Sequence, residues 1–193
     1  ALTRTFGDIG GRVGSSLIGH MMSGIVGPAI AGRSSFLLDT LGEALFDSAV
    51  TIIDDTLRPR GLRSRPFDGE GLPTGQRALI DRGVLTGWLL DSASARQLGL
   101  APTGHASRGA SGSPGAGVSN VHMEAGDITP GELMADVKRG LYITELIGMG
   151  VNMVTGDYSR GASGFLIENG GVVQAVPEIT NAGHLREMFR ALV

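Results

Sequence analysis

The stretch S-G-F-L-I-E-N-G-G-V-V-Q-A-V, residues 163–176, sets the fold class. Two apolar segments, Ser163–Glu168 and Val172–Val176, flank Asn169-Gly170, the dipeptide best suited to a type I′ turn whose central residues both need positive φ. This predicts a β-hairpin, and with it antiparallel sheet in the last third of the chain. A second hairpin is predicted from Gln76–Ile80 and Val84–Leu90, joined by Asp81-Arg82-Gly83 as a three-residue loop with glycine at the left-handed position. Further strands are expected at 50–55 (V-T-I-I-D-D), 141–147 (L-Y-I-T-E-L-I) and 151–155 (V-N-M-V-T). Helices fall between them. Asp91 is positioned to cap S-A-S-A-R-Q-L, stopped by Gly99, and Thr129-Pro130-Gly131-Glu132 has the form of a capping box opening a helix to Arg139. Leu37, Leu38, Leu41 and Leu45 recur at helical spacing after Ser34 and Ser35, and Asn181–Leu192 carries Leu185, Met188, Phe189 and Leu192 on one helical face. Helices interspersed with hairpins predict an α+β fold of curved, mostly antiparallel, barrel-like sheets.

Composition narrows the function classes. The chain has 193 residues, a formal charge of −3 and no cysteine. A phosphate-contacting nucleic-acid binder shows a basic excess, which is absent here. Without cysteine there is no disulfide scaffold, thiolate zinc site or cysteine nucleophile within these residues. Glycine is abundant, at 32 residues, which suits strong sheet curvature and tight backbone approaches. Lys138 is the sole lysine, an arginine bias that a GC-rich genome explains without any anion site. Residues 13–31 are the one apolar run near spanning length, but His20, Pro28 and interior glycines favour a buried helix ending near Pro28. The chain starts at Ala1 without a signal-like segment and reads as a piece of a longer polypeptide.

Local motifs for chemistry are sparse. His20, His105, His122 and His184 are far apart and offer no zinc spacing. H-M-E at 122–124 lacks the cysteine pair of a zinc deaminase. Gly161-Ala162-Ser163-Gly164 and Gly109-Ala110-Ser111-Gly112 fall short of a nucleophile elbow and read as turns. Gly7–Gly14 precedes a helix and offers a weak anion site. Asp157, Tyr158, Ser159 and Arg160 gather polar side chains in T-G-D-Y-S-R-G-A-S-G; a Gly-bounded turn is the ordinary reading, and peptide binding or an interface the functional one. Residues 102–118 form a long Gly/Ser-rich loop containing His105, a length that marks function or mobility.

Four segments taken together, S-S-F-L-L-D-T-L-G (34–42), A-P-T-G-H-A (101–106), T-G-D-Y-S-R-G-A-S-G-F-L-I-E-N-G (155–170) and V-P-E-I-T-N-A-G-H-L-R-E-M (176–188), resemble the TldD/PmbA family. The similarity is greatest to its PmbA (TldE) branch, historically called a modulator of DNA gyrase. The resemblance implies that residues 1–193 are a single domain, most of the family's C-terminal domain. It further implies an intracellular metallopeptidase complex of TldD and TldE subunits that degrades and matures peptides. The TldD branch carries H-E-x-x-x-H, with two zinc-binding histidines and a glutamate base. Those positions align with Gly19, His20 and Gly24, so both ligand positions are glycine and the base position is His20. A further cysteine ligand of the family would fall beyond Val193. The expectation is therefore a non-catalytic TldE-type subunit with no cofactor of its own, zinc belonging to a TldD-like partner. Asp157, Tyr158, Ser159, Arg160 and His105 are its candidate peptide-binding or interface residues, with no nucleic acid or membrane among its partners. A homodimeric peptide-binding scaffold and an independent hydrolase using the 157–160 region stand as alternatives.

Overall fold

A computed structural model describes residues 5–7 and 12–192. In chain order the elements are β1 (Thr5–Gly7), α1 (Arg12–Gly24), α2 (Gly27–Ala31), β2 (Ile52–Asp54), β3 (Arg77–Asp81), β4 (Val84–Leu85) and α3 (Ser92–Leu98). There follow β5 (Ala106–Ser107), β6 (Gly115–Ala116), β7 (Val121–Met123), α4 (Pro130–Ala135), β8 (Arg139–Ile147), β9 (Asp157–Glu168), β10 (Gly171–His184) and α5 (Leu185–Arg190). They fall into two compact units, one of residues 1–20 and 125–192, the other of residues 21–124. The Gly7–Gly14 anion motif falls largely outside the described residues.

The first unit is a four-stranded sheet in the order β1-β8-β9-β10. Its spine is the hairpin predicted at Asn169-Gly170, where φ values of 49° and 80° give a type I′ turn. The hairpin is longer than its sequence signal: β10 pairs with β9 from Gly171 opposite Glu168 to His184 opposite Asp157. Strand pairing therefore claims residues 181–184, and the terminal helix is only the six residues of α5, capped by the His184 side chain accepting from the Arg186 amide at 3.2 Å. The predicted strand at 151–155 is instead a turn. Asn152 Oδ1 accepts from the amides of Val154 and Thr155, and Gly156 has φ of 86°. At α4 the capping box forms as expected, Thr129 and Glu132 each satisfying the other's amide. The helix stops at Ala135 rather than Arg139, because Arg139 already pairs with Glu168 as the start of β8.

The second unit has a four-stranded sheet, β4-β3-β2-β7, and the small pair β5-β6. Its core includes Leu37, Ile52, Leu79, Ile80, Leu85 and Leu89, all at most 1% exposed. The β3–β4 hairpin turns on two residues, Arg82 and Gly83, both at positive φ, so the loop is shorter than the predicted three. Asp91 caps α3 through the Ser94 amide at 3.1 Å, and Gly99 ends it at φ of 67°, as the sequence implied. Pro28 opens α2 rather than ending α1; the break comes earlier, where Val26 bridges to Leu89. The leucines of 37–45 form turns, not a helix. Ser35 Oγ donates to Gly24 O at 2.6 Å and accepts from the Leu37 amide, while Thr40 Oγ1 donates to Leu37 O. Those bonds compete with a helical ladder, and Gly42 at φ of 80° closes it off. The α+β class with mostly antiparallel sheets holds; among the described residues the sheets are open, not closed into a barrel.

Candidate functional site

In the first unit, α1 and β9 bring their polar side chains together by their own periodicities. Helical spacing puts Val13, Ser16 and His20 on one stripe, and strand alternation puts Tyr158, Arg160 and Ala162 on one face of β9. The His20 ring meets Tyr158 edge-on, with centroids 6.1 Å apart and planes at 71°. Tyr158 is 2% exposed. Burial pushes the His20 pKa below its ordinary value, and the nearby Arg160 charge pushes it the same way. Burial raises the Tyr158 hydroxyl, against a smaller lowering by Arg160. The guanidinium thus acts on both rings, yet no hydrogen bond of regular geometry joins the three. His20 Nε2, the Tyr158 hydroxyl and Arg160 Nε make no hydrogen bond of regular geometry, while the Arg160 side chain lies near enough to the Tyr158 hydroxyl to act on it as a hydrogen-bonding neighbour. Next to them opens a cleft of about 220 Å³ lined by Val13, Ser16, Thr144, Glu145, Leu146 and Arg160.

The four residues of the 157–160 cluster do not converge. They open a strand rather than a turn, so Asp157 and Ser159 alternate away from Tyr158 and Arg160 and are exposed. Asp157 accepts from Thr155 Oγ1 at 2.6 Å, and the Ser159 amide donates to Gly150 O at 2.7 Å. Both are occupied in local turn structure.

His105 belongs to the second unit, where it is 2% exposed beside a fully enclosed Asp54. Its Nδ1 shares a hydrogen bond with Thr103 Oγ1 at 2.8 Å, and Nε2 lies 3.7 Å from Asp54 Oδ2, beyond hydrogen-bond range. Burial is the main cause that lowers the His105 pKa; Asp54 opposes it, and Arg77 and Arg65 reinforce it. Asp54 is held instead by Ser119, whose amide donates at 2.9 Å and hydroxyl at 2.5 Å. The group ties the 102–119 loop to β2 and acts as a brace. No local motif marks Asp54, since its partner is 65 residues away in sequence.

At the positions that the resemblance aligns with the zinc motif, His20 is the one side chain able to ligate a metal. Gly19 and Gly24 offer no donor atoms, and His20 turns its ring onto Tyr158. A Cβ at Gly24 would lie 2.9 Å from Leu37 Cδ1 and 3.2 Å from Phe36 Cε1, whereas one at Gly19 would meet open space. Among the described residues no group of three or more His, Cys, Asp or Glu side chains is placed to hold a metal ion. No helix among them is long and apolar enough to cross a membrane.

Comparison with known proteins identifies the family. The PmbA/TldA metallopeptidase C-terminal domain matches residues 9–193. Metalloprotease PmbA of Escherichia coli O157:H7 is 42% identical over 182 residues, covering 94% of this chain and 38% of the relative. A TldD homologue from Haemophilus influenzae is 30% identical over 177 residues, covering 91% of the chain and 36% of that protein. The chain thus spans under two-fifths of the length of these relatives. Among solved structures, a protein of Bacteroides thetaiotaomicron described as a candidate modulator of DNA gyrase superposes with a TM-score of 0.83 at 35% identity, over 93% of this chain and 38% of its own. TldE from Thermococcus kodakarensis gives 0.81 at 27% identity, over 91% and 40%. With the family match, the relatives and the superposed structures in agreement, the chain belongs to the PmbA/TldD metallopeptidase family.

Proposed function

We propose that this chain is the C-terminal domain of a TldE-type subunit that pairs with a TldD-like metallopeptidase and contributes no zinc of its own. The observation that carries the reading is the pair of glycines, Gly19 and Gly24, at the two ligand positions of the family motif. Glycine has no side-chain donor, and a catalytic zinc needs three protein ligands plus an open position. The TldD-like subunit supplies the metal and hydrolyses the peptide bond; this subunit shapes the substrate path, acting on peptides in the cytoplasm. Its negative net charge accords with peptides rather than DNA as the ligand. Co-expression of the full-length protein with a TldD-like subunit from the same organism tests the pairing. The two are expected to co-purify, with peptide turnover from the pair and none from this protein alone. Zinc-dependent turnover by the isolated protein would refute the proposal.

A further inference from the structure

We propose that the cleft between the first half of α1 and the β8–β9 pair binds a peptide carboxylate, with Arg160 as its anchor. The inference goes beyond the subunit reading and does not depend on it.

The first argument is electrostatic. Arg160 is half-buried, its Nε makes no hydrogen bond of regular geometry, and the neutral Tyr158 hydroxyl beside the guanidinium leaves its charge unbalanced, an arrangement that costs desolvation unless an anion accepts from it. Among the described residues no carboxylate lies within ion-pair distance of its guanidinium. Glu145 lines the same cleft, and its carboxylate accepts from Ser163 Oγ at 3.2 Å. The planar guanidinium fork matches a carboxylate in geometry. Its single positive charge balances a monoanion, and Glu145 in the lining makes a second negative charge on the ligand costlier than the first.

The second argument is spatial. Arg160 lines the cleft, beside the His20–Tyr158 ring pair on which its charge acts. At about 220 Å³ the cleft is smaller than sites for cofactors or drug-sized ligands, which run to roughly 300–1,000 Å³. It is suited to the end of a chain. Val13 and Leu146 give an apolar wall for one side chain, and Ser16, whose hydroxyl donates to Val13 O at 2.7 Å, keeps its oxygen able to accept. An apolar wall, one cation and one hydroxyl fit a terminal residue better than an isolated acidic side chain.

The test is isothermal titration of the full-length protein, without any partner subunit, using four probes. These are N-acetyl-Ala-Ala-Leu as the free acid, the same peptide as its C-terminal amide, N-acetyl-Ala-Glu amide and inorganic phosphate. The free acid is expected to bind at least tenfold more tightly than its amide, and Arg160→Gln to remove that preference. Arg160→Lys is expected to recover part of it, as a charge without the fork. Ser16→Leu, which fills the cleft and leaves Arg160 intact, is expected to abolish binding, so the result does not hang on one variant's folding. Preference for N-acetyl-Ala-Glu amide supports the carboxylate and moves its source to a side chain. Equal binding of acid and amide, phosphate binding tighter than either peptide, no binding of the free acids, or an unchanged Arg160→Gln variant each overturns the proposal. A protein that binds the free acid but fails to pair with a TldD-like subunit sinks the subunit reading alone.

Discussion

His105 and Tyr158 are both buried aromatics next to arginine, and they respond differently to change. The folded state holds His105 below its ordinary value near 6.5, mainly by burial, so on acidification the unfolded chain takes up the proton first. The stability due to neutral His105 is complete above the unfolded value and is lost as pH falls from about 6.5 toward the folded value. His20, shifted in the same direction, adds to the slope. Urea midpoints should therefore fall between pH 7 and 5.5, and His105→Gln should flatten that fall; an unaltered slope would show that other groups set it. Tyr158 carries an enclosed hydroxyl that makes no hydrogen bond of regular geometry and has Arg160 as its polar neighbour, so deleting the oxygen removes a burial cost and at most a weak bond. Tyr158→Phe should leave stability within about 0.5 kcal/mol of the parent or raise it, whereas Tyr158→Ala should cost about 3–5 kcal/mol through the cavity it leaves. Urea denaturation separates these outcomes, and a loss above about 1.5 kcal/mol for Tyr158→Phe would mean the hydroxyl is bonded in solution.

The β9–β10 hairpin depends on two glycines for different reasons. Gly170 sits at φ of 80°, and a Cβ there would lie 2.8 Å from Ala135 O. Gly164 faces β8, and a Cβ would collide with Tyr142 O. Gly170→Ala should cost about 1–3 kcal/mol from backbone strain, and Gly164→Ala at least as much from displacement of the strand. Thermal melts of the two variants, with Asn169→Gly as a tolerated control, check the ranking. The hairpin was legible because its determinants are neighbours in sequence: Asn169-Gly170 specifies the turn whatever surrounds it. Asp91, Gly99 and the Thr129–Glu132 box were legible for the same reason. The leucines of 37–45 misled because their spacing fits a helix while the decisive hydroxyls, on Ser35 and Thr40, bond the backbone instead. At 181–184 the apolar pattern fits a helix, but pairing with residues 157–160 wins. In the site, Tyr158 and Arg160 were visible as residue types, and His20 as a motif position. Their meeting was not, since only packing of α1 on β9 joins them, and Asp157 and Ser159 dropped out once the segment proved to be a strand.

For the whole molecule, the family motif gives a prediction about metal. Full-length protein after dialysis should hold well under one zinc per chain by elemental analysis, and one tightly held zinc would contradict this. Rewriting Gly19→His, His20→Glu and Gly24→His should not create a peptidase. Gly19 has room for the new side chain, but histidine at Gly24 must displace Leu37 and Phe36, at a cost of about 1–3 kcal/mol or more. Zinc-dependent peptide cleavage by the triple variant would refute this. The long strand β10 has one further consequence. Among the described residues it pairs only with β9, and much of its length is exposed, including Val172 and Val173. Such an edge is a template for uncontrolled strand addition and fibril growth. Pro177 removes a donor in mid-strand, and Glu178 at φ of 56° bends the backbone within an irregularity spanning Val176 and Ile179. The two residues cut the edge into segments of about six residues and set a charge between them, the pattern by which edge strands are blunted against strand addition.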